Sequence, residues 1–403
     1  MDSTLGVYIS VPFCRAKCTF CNFASDVFGG ERLERYVERL AVEIAEARRR
    51  SKEFGATLPR RVDTVYLGGG TPSLLEAGQV RRIFEALRGE FLVDCDAEIT
   101  LECAPGQLEE ATLEEMLRQG VNRVSFGVQS FVDAESAAVG RLHTARMCVE
   151  EIARMRRAGV EEISLDLIAG LPHQTGESWG RSVDGVVASG VSHASVYMLE
   201  VDEESRLGRE MMAKGLRYGA SAVPTEDAAA EFYQVACERF DEAGLGQYEI
   251  SNFARQGHAS RHNVKYWRRR DYAGFGLDAH SMLRTREGAV RVANTSVLED
   301  YLGMRGEFQM LQARAADPVV DVIGREAAFE ETLFLGLRMN EGVEMETLRG
   351  EFGAGMLGQA TEVVEELCGA GLMEVEDGWM RLTSRGRMVS NEVFSRLLLK
   401  VCA

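Results

Sequence analysis

The chain has 403 residues, and its 63 acidic against 46 basic side chains give a formal net charge of -17. A surface this acidic repels phosphate backbones and anionic lipid, so we expect no nucleic-acid partner. No apolar run approaches the ~20 residues that span a bilayer. The first residues carry neither the basic segment nor the small-residue cleavage site of a signal peptide. We therefore expect a soluble, cytoplasmic protein.

From the N-terminus to about residue 250, short β-rich segments alternate with amphipathic helical segments. The predicted strands are Val7–Val11, Thr64–Leu67, Glu98–Glu102, Arg123–Val128, Ile163–Ile168 and Ala194–Leu199. Strands separated by helices predict right-handed βαβ crossovers and a parallel sheet. About six such units are fewer than the eight of a closed TIM barrel. The pattern therefore predicts an α/β fold with a partial, TIM-like (β/α)6 barrel in residues 1–250.

The pattern changes after residue 250. Residues 251–320 are rich in aromatics and glycine and predict a connecting segment that closes the barrel. Residues 321–403 predict a mainly helical domain, with helices at Glu330–Arg338, Thr361–Ala370 and Gly386–Leu399 and a hairpin that turns at Asp377-Gly378. This order resembles a winged helix. The acidic charge favours a packing domain there over a nucleic-acid contact.

Unusual polar and glycine-rich residues follow the predicted strands. Parallel sheets of this kind bind ligands at the carboxyl ends of their strands. The first strand is followed by a cysteine cluster and the second by Gly68-Gly69-Gly70-Thr71-Pro72. The third ends in Glu102, the fourth leads into Gln129, and the fifth carries Asp166 near its end. The sequence therefore predicts one site at this rim.

Three of the nine cysteines form a C-x3-C-x2-C run, Cys14, Cys18 and Cys21. The other six are scattered, as small core residues of a reducing compartment are. Structural zinc needs four ligands, and no nearby cysteine or histidine supplies a fourth. In a cubane cluster three cysteines leave one iron open to a small molecule. The run therefore favours a [4Fe–4S] cluster over zinc.

This run is the defining motif of radical S-adenosylmethionine (SAM) proteins, which the chain resembles. In that family SAM chelates the open iron, and reduction of the cluster cleaves SAM into methionine and a 5′-deoxyadenosyl radical. The glycine run at residues 68–72 resembles the loop that contacts the SAM amino group. The resemblance implies a [4Fe–4S] cluster and SAM as cofactors.

Further motifs resemble the oxygen-independent coproporphyrinogen III oxidase family. They are Val7–Cys14, Ser125–Phe131, Gly140–His143 and Asp166–Pro172, and the resemblance continues in outline over Leu382–Phe394. By position, the resemblance implies that the SAM site is lined by Tyr8, Gly70, Thr71, Glu102, Gln129, Arg141 and Asp166. Carboxylates accept hydrogen bonds from amino or hydroxyl groups, and Arg141 suits the methionine carboxylate.

Two features resemble the haem chaperone branch of that family. The oxidase carries a fourth cysteine where this chain has Phe23, and an N-terminal arm that this sequence lacks. His262-Asn263-Val264-Lys265-Tyr266-Trp267 matches the H-N-x-x-Y-W motif that the branch associates with haem. Imidazole ligates haem iron and aromatic rings stack on porphyrin. The alternative is a histidine packed beside core aromatics. His280 is a second candidate ligand.

Three functions stay open. A haem chaperone is a carrier, with haem as cargo and an unidentified acceptor protein as partner. The oxidase converts coproporphyrinogen III to protoporphyrinogen IX, and a methyltransferase of the same class yields S-adenosylhomocysteine. A flavodoxin- or ferredoxin-like protein is the electron donor that the cluster implies. The His262–Trp267 motif and the whole-length resemblance favour the chaperone, so whether the protein is an enzyme stays undecided.

Overall fold

A computed structural model describes residues 4–25, 27, 29–303 and 318–398. Its first part alternates strands and helices as the sequence predicts. These elements are β1 (Leu5–Val11), α1 (Gly30–Ala45), α2 (Ala47–Glu53), β2 (Arg61–Gly69), α3 (Ala77–Glu90), β3 (Leu92–Cys103), α4 (Glu110–Arg118), β4 (Arg123–Gln129), α5 (Asp133–Ala138), α6 (Ala145–Arg157), β5 (Glu162–Ala169), α7 (Gly176–Ser189) and β6 (His193–Met198). Neighbouring strands from β1 to β6 pair in parallel, which confirms the predicted partial barrel.

The second part extends this sheet. Its elements are α8 (Arg206–Met212), α9 (Glu226–Glu242), β7 (Gly246–Gln247), β8 (Asn252–Ala254), α10 (Arg261–Trp267), β9 (Tyr272–Phe275), β10 (His280–Arg284), β11 (Ala289–Ala293) and α11 (Leu298–Gly303). β8 pairs antiparallel with β6, and β9 pairs parallel with β1. The described part of segment 251–320 therefore adds strands at both edges of the barrel sheet.

The third part is a helical domain with a small sheet. Its elements are β12 (Val319–Ile323), α12 (Arg325–Gly336), β13 (Val343–Glu344), α13 (Met345–Phe352), α14 (Ala354–Gly369), β14 (Met373–Glu376), β15 (Trp379–Leu382), α15 (Ser384–Met388) and α16 (Ser390–Leu397). β12 pairs with β11 at the edge of the barrel sheet, whereas β15 pairs with both β13 and β14, so three short strands accompany the helices, as in a winged helix. The hairpin turns at Asp377 and Gly378, both with positive φ, as the sequence predicts.

The prediction of one closing helix over Gly386–Leu399 is wrong. Val389, with φ -119° and ψ 33°, separates α15 from α16. α15 packs beside β15, and its Gly386 lies so close to the chain before β14 that a Cβ there would be 1.9 Å from the carbonyl oxygen of Leu372. α16 packs instead on α12 and α14, so the chain bends between two sets of neighbours. Leu399 and Cys402 lie outside the described residues.

The barrel has an apolar outside and a polar inside. Side chains alternate across each strand, and outward residues such as Val65, Leu67 and Leu165 are buried under the helices. α1 contributes to this cover with an apolar stripe that includes Tyr36, Leu40 and Ile44, while α7 and α9 pack on β5. No described helix has the length and apolar character to cross a membrane.

The inward-facing strand residues are mostly polar. They include Tyr66, Thr100, Glu102, Arg123, Ser125, Ser164, Asp166, His193 and Ser195. A TIM barrel interior is normally filled by packed branched apolar side chains. Here polar residues take those positions and line an open cavity, so the barrel interior can hold a ligand.

Candidate functional site

A cavity of about 740 Å³ runs through the barrel mouth. Its walls come from the loop after β1, from the carboxyl ends of the barrel strands and from the start of α16. Of the twelve cofactor- and metal-binding candidates that the sequence analysis names, nine line it: Cys14, Cys18, Cys21, Gly70, Thr71, Glu102, Gln129, Arg141 and Asp166. The predicted rim site is therefore a single cavity in the structure. Tyr8, His262 and His280 lie outside its lining.

The three cysteines are free thiols on one wall of the cavity. The Thr71 hydroxyl donates to Sγ of Cys14 at 3.6 Å, and Nη1 of Arg141 donates to Sγ of Cys18 at 3.5 Å. Burial raises the pKa of Cys21 above its usual value. The Thr71 hydroxyl and the Arg141 guanidinium therefore fix the sulfur atoms of Cys14 and Cys18 at this wall.

The donor set fits an iron–sulfur cluster. Among residues 4–25, 27, 29–303 and 318–398, no group of three His, Cys, Asp or Glu side chains is placed so that all three could bind the same metal ion. In a cubane each cysteine ligates a different iron, so the three sulfur atoms need not converge on one point. Cys14, Cys18 and Cys21 would hold such a cluster.

The glycine loop after β2 passes close to the chain that leads into the cysteines. A Cβ at Gly70 would lie 2.7 Å from the carbonyl oxygen of Val11 and 2.8 Å from the nitrogen of Phe13. The nitrogens of Gly70 and Thr71 donate to the carbonyl oxygens of Val11 and Phe13 at 2.9 and 2.8 Å. Only glycine allows this approach, so the loop is fixed beside the predicted cluster.

Two half-buried carboxyl groups, Glu102 and Asp166, line the barrel interior. Oε1 of Glu102 accepts from the Tyr66 hydroxyl at 2.9 Å, and Oε2 accepts from the nitrogen of Gly69 at 3.1 Å. Burial raises the pKa of Glu102 to about 7, and the nearby Asp166 adds to this effect. Burial likewise raises the pKa of Asp166 to about 6, although hydroxyl donors including Ser125 oppose it. Both carboxyls therefore titrate near neutral pH.

Arg141 and Gln129 connect the end of β4 to the cysteine wall. Gln129 has a φ of 65°, a left-handed conformation that is rare for a residue with a side chain and clusters at functional sites. The Arg141 guanidinium donates to the carbonyl oxygen of Gly127 and to Cys18. Its buried Nε has no hydrogen-bond partner among the described residues. The guanidinium can therefore still bind a carboxylate.

The structure places the predicted haem ligands away from the cavity. His262 is only 1% exposed, and its Nδ1 and Nε2 lie 2.9 and 2.7 Å from the hydroxyls of Thr64 and Tyr266. Burial lowers the pKa of His262 to about 3, so the ring is neutral. His280 is exposed at the start of β10 and does not line the cavity. Tyr8 lies below the rim, its ring stacked on that of Tyr66 at 6.1 Å.

The sequence analysis missed the outer part of the cavity. We use this term for the region lined by Tyr197, Met198, Arg387, Met388 and Val389. Tyr197, Met198 and Val389 are 45%, 42% and 43% exposed. The alternation of β6 predicts that Tyr197 points inward like Ser195, but no local signal indicates that α15 and α16 lie across from it.

Comparisons with known proteins agree with this architecture. The radical SAM superfamily model matches residues 8–184, and the HemN C-terminal domain model matches residues 323–389. A Bacillus subtilis (strain 168) protein named heme chaperone HemW is 31% identical over 97% of this chain and 98% of its own length. A Bos taurus protein, radical S-adenosyl methionine domain-containing protein 1, mitochondrial, is 31% identical over 98% of this chain and 87% of its own.

A solved structure shares the fold. Coproporphyrinogen III oxidase (HemN) from Escherichia coli matches with a TM-score of 0.81 and 22% sequence identity, covering 98% of this chain and 90% of that one. The match spans the barrel and the C-terminal domain together. At the position where the oxidase family carries its fourth cysteine, Phe23 is 62% exposed here.

Proposed function

Because this chain belongs to the radical SAM, HemN-like family, we propose that it is a haem chaperone that binds haem and passes it to an acceptor protein. It does so on a scaffold that holds a [4Fe–4S] cluster and SAM. A cytoplasmic location and the haem-acceptor protein belong to the same proposal. The names of curated relatives that match almost the whole chain support it.

One structural observation carries the proposal. The cavity continues past the residues that the family resemblance assigns to SAM, and its outer part presents apolar side chains that remain exposed. Haem is a flat apolar molecule with two carboxylates, and it needs an apolar wall and a cation. Tyr197, Met198 and Val389 offer the wall.

Arg387 offers the cation. Its Nη1 and Nη2 donate to the carbonyl oxygen of Leu382 and the hydroxyl of Ser384, both at 3.0 Å. No carboxylate lies within ion-pair distance of Arg387 in the part of the chain that the structure describes, so its charge remains available to a propionate. Tyrosine and methionine are known axial ligands of haem iron, so Tyr197, Met198 and Met388 are candidate ligands in this region, beside His262, which stays a prediction.

In this family, the bound cluster and SAM supply reductive cleavage of SAM. Cys14, Cys18 and Cys21 would hold the cluster, while Gly70, Thr71, Glu102, Gln129, Arg141 and Asp166 would bind and orient SAM. Tyr8 would support these SAM-binding residues through its ring, which stacks on the ring of Tyr66. Phe23 in place of a fourth cysteine argues against the oxidase, and no contact among the described residues favours the methyltransferase over the carrier.

The test is an anaerobic haem titration of the cluster-loaded protein, followed by its Soret absorption. We expect saturation near one haem per chain, with no conversion of coproporphyrinogen III and no S-adenosylhomocysteine. Arg387→Ala should weaken haem binding about tenfold, the loss of one charge-assisted contact. Arg385→Ala is the matched control, because Arg385 lies on the same helix, outside the cavity, and donates to Ala370. Absence of saturable binding, or formation of either product, would exclude the carrier function.

A further inference from the structure

Helix α10, which carries the H-N-x-x-Y-W motif, is packed into the lower end of the barrel. A Cβ at Gly6 of β1 would lie 2.9 Å from Cδ of Lys265 and 3.5 Å from Cε1 of His262. Nζ of Lys265 pairs with Asp63 at 2.8 Å. α10 therefore lies directly against the first two barrel strands.

A buried carboxylate fixes the start of this helix. Oε1 of Glu98 accepts from the nitrogen of His262 at 2.9 Å, and Oε2 accepts from the nitrogen of Arg261 at 3.0 Å. Glu98 also accepts from the Ser260 hydroxyl at 3.4 Å. The side chains of Glu98 and Glu102 lie on the same face of β3. Glu98 therefore attaches α10 to the barrel below Glu102, whose carboxyl group lines the SAM site.

A continuous column of contacts then runs from α10 to the site. The hydroxyl of Thr64 lies 2.9 Å from Nδ1 of His262, whose ring stacks on that of Tyr66 with centroids 5.2 Å apart. The Tyr66 hydroxyl donates to Oε1 of Glu102 at 2.9 Å. Thr64 and Tyr66 share the inward face of β2, so the imidazole forms the layer beneath the tyrosine.

We propose that His262 is a positioning residue of the SAM site, acting through the stacked ring of Tyr66 on the carboxyl group of Glu102. The inference rests on the proposed SAM site and gives this chain's H-N-x-x-Y-W motif a role that requires no contact with haem iron. The imidazole is anchored through both nitrogens, since Nε2 lies 2.7 Å from the Tyr266 hydroxyl. Its ring is therefore a rigid support for Tyr66.

The consequence for Glu102 is both geometric and electrostatic. The Tyr66 hydroxyl holds Oε1 while Gly69 holds Oε2, so the carboxyl has one orientation. The same hydrogen bond lowers the pKa of Glu102 against the larger effect of burial. The titratable groups that interact electrostatically with Glu102 include Tyr8, Tyr66, Cys103, Asp166, Tyr197 and Tyr266. Loss of the support should therefore turn the carboxyl and raise its pKa further.

The test is a double-mutant cycle on SAM affinity, using anaerobic, cluster-loaded protein. Tyr66→Phe removes only the hydroxyl, and His262→Ala removes the supporting ring. We expect each to weaken SAM binding about tenfold, the loss of one hydrogen bond to a charged group. The double variant should be no weaker than the weaker single variant, because both act through one path. The pH midpoint of SAM binding should rise in all three, which a purely structural role would not produce.

Two further variants keep the test sharp. His258→Ala is the control, because His258 pairs with Glu162 at 2.6 Å near α10 but does not line the cavity, and we expect unchanged SAM affinity. Thr64→Val keeps the shape of the column and removes one anchor of the imidazole. Thr64→Val takes the place of His262→Ala if that variant does not fold, and we expect it to lose less SAM affinity than His262→Ala would.

The outcomes are distinct. Coupled losses of SAM affinity with normal iron content support the positioning role, whatever happens to haem binding. Additive losses, or a His262→Ala variant with wild-type SAM affinity and an unshifted pH midpoint, would refute it. Absence of SAM binding by the wild-type protein would instead remove the SAM site of the proposed function.

Discussion

SAM affinity should depend steeply on pH, and the dependence should come from Glu102. Burial raises the pKa of this carboxyl to about 7. SAM carries a positive sulfonium and presents amino and hydroxyl donors, so the ionised carboxylate is the form that binds it. A raised pKa means that the carboxyl is mostly protonated below neutral pH. Affinity is therefore full above the raised pKa and is lost as the pH falls through it.

The magnitude follows from the pKa. If only ionised Glu102 binds, the apparent Kd is multiplied by one plus the ratio of protonated to ionised carboxyl. Between about pH 8 and about pH 5.5 this factor rises from about 1 to about 30. Asp166, with its pKa raised to about 6, adds about a further fourfold over the same range.

Isothermal titration of SAM into the anaerobic, cluster-loaded protein across this range measures the effect. Glu102→Gln should bind SAM about tenfold more weakly near pH 8 and should lose most of the pH dependence. A wild-type Kd that stays flat across the range would refute the assignment of a raised pKa to a SAM-binding carboxyl. The same steep profile in Glu102→Gln would assign it to another group.

Other predictions concern the cluster and the scaffold. Cys18→Ala should abolish the brown absorption and the bound iron, because two thiolates cannot retain the cluster; an unchanged iron content would overturn the cluster assignment. Glu43→Ala should lower the free energy of unfolding, measured in urea, by about 3–5 kcal/mol. The reason is that this buried carboxyl accepts hydrogen bonds from Arg50, Asn294 and Tyr301 at 3.1, 2.7 and 2.6 Å. A loss below ~1 kcal/mol would contradict this prediction. His173→Gly should stabilise the protein by about 1 kcal/mol in thermal unfolding, because His173 has a left-handed φ of 69°; lower stability would refute the strain.

The barrel strands were predictable because their signal is local. Each of the six predicted segments lies largely within a strand of the sheet, and their apolar residues recur at every second position. The short edge strands were not predictable in the same way. β9 has four residues and pairs with β1, which lies more than 260 residues earlier in the chain. Pairing over that distance depends on the whole fold and leaves no local pattern.

The site could be predicted from the sequence where its residues stand at a strand end or belong to a family motif. Glu102 and Gln129 stand at the carboxyl ends of β3 and β4, where parallel sheets collect their ligands. Asp166 lies inside β5 and was indicated by the Asp166–Pro172 motif. Tyr66 and Arg123 were missed, although their alternation with outward apolar residues was already visible. Arg123 is 3% exposed and lines the cavity with an Nη2 that lacks a partner within the described ranges.

Departures from the family pattern mark backbone positions that favour glycine. His173 follows Leu171-Pro172, where the resembled family commonly has glycine, and its φ is 69°. Asp278 lies in Gly276–His280, where the family has Gly-Pro-Gly before Ala-His, and its φ is 56°. The backbone therefore keeps a left-handed conformation at both positions even though a side chain is present. A side chain in this conformation costs stability, because the Cβ atom lies too close to the following carbonyl oxygen.

The column from Thr64 through His262 and Tyr66 to Glu102 changes how a substitution in the H-N-x-x-Y-W motif should be interpreted. A His262 variant that loses haem is not by itself proof that the imidazole ligates iron, because the same change removes the support of a SAM-binding carboxyl. Iron ligation would require the ring to leave two hydrogen bonds and a site that is 1% exposed. The positioning role requires no movement at all. Measuring SAM and haem affinity on the same variants separates the two functions of this motif, because only the positioning role couples His262 to Tyr66.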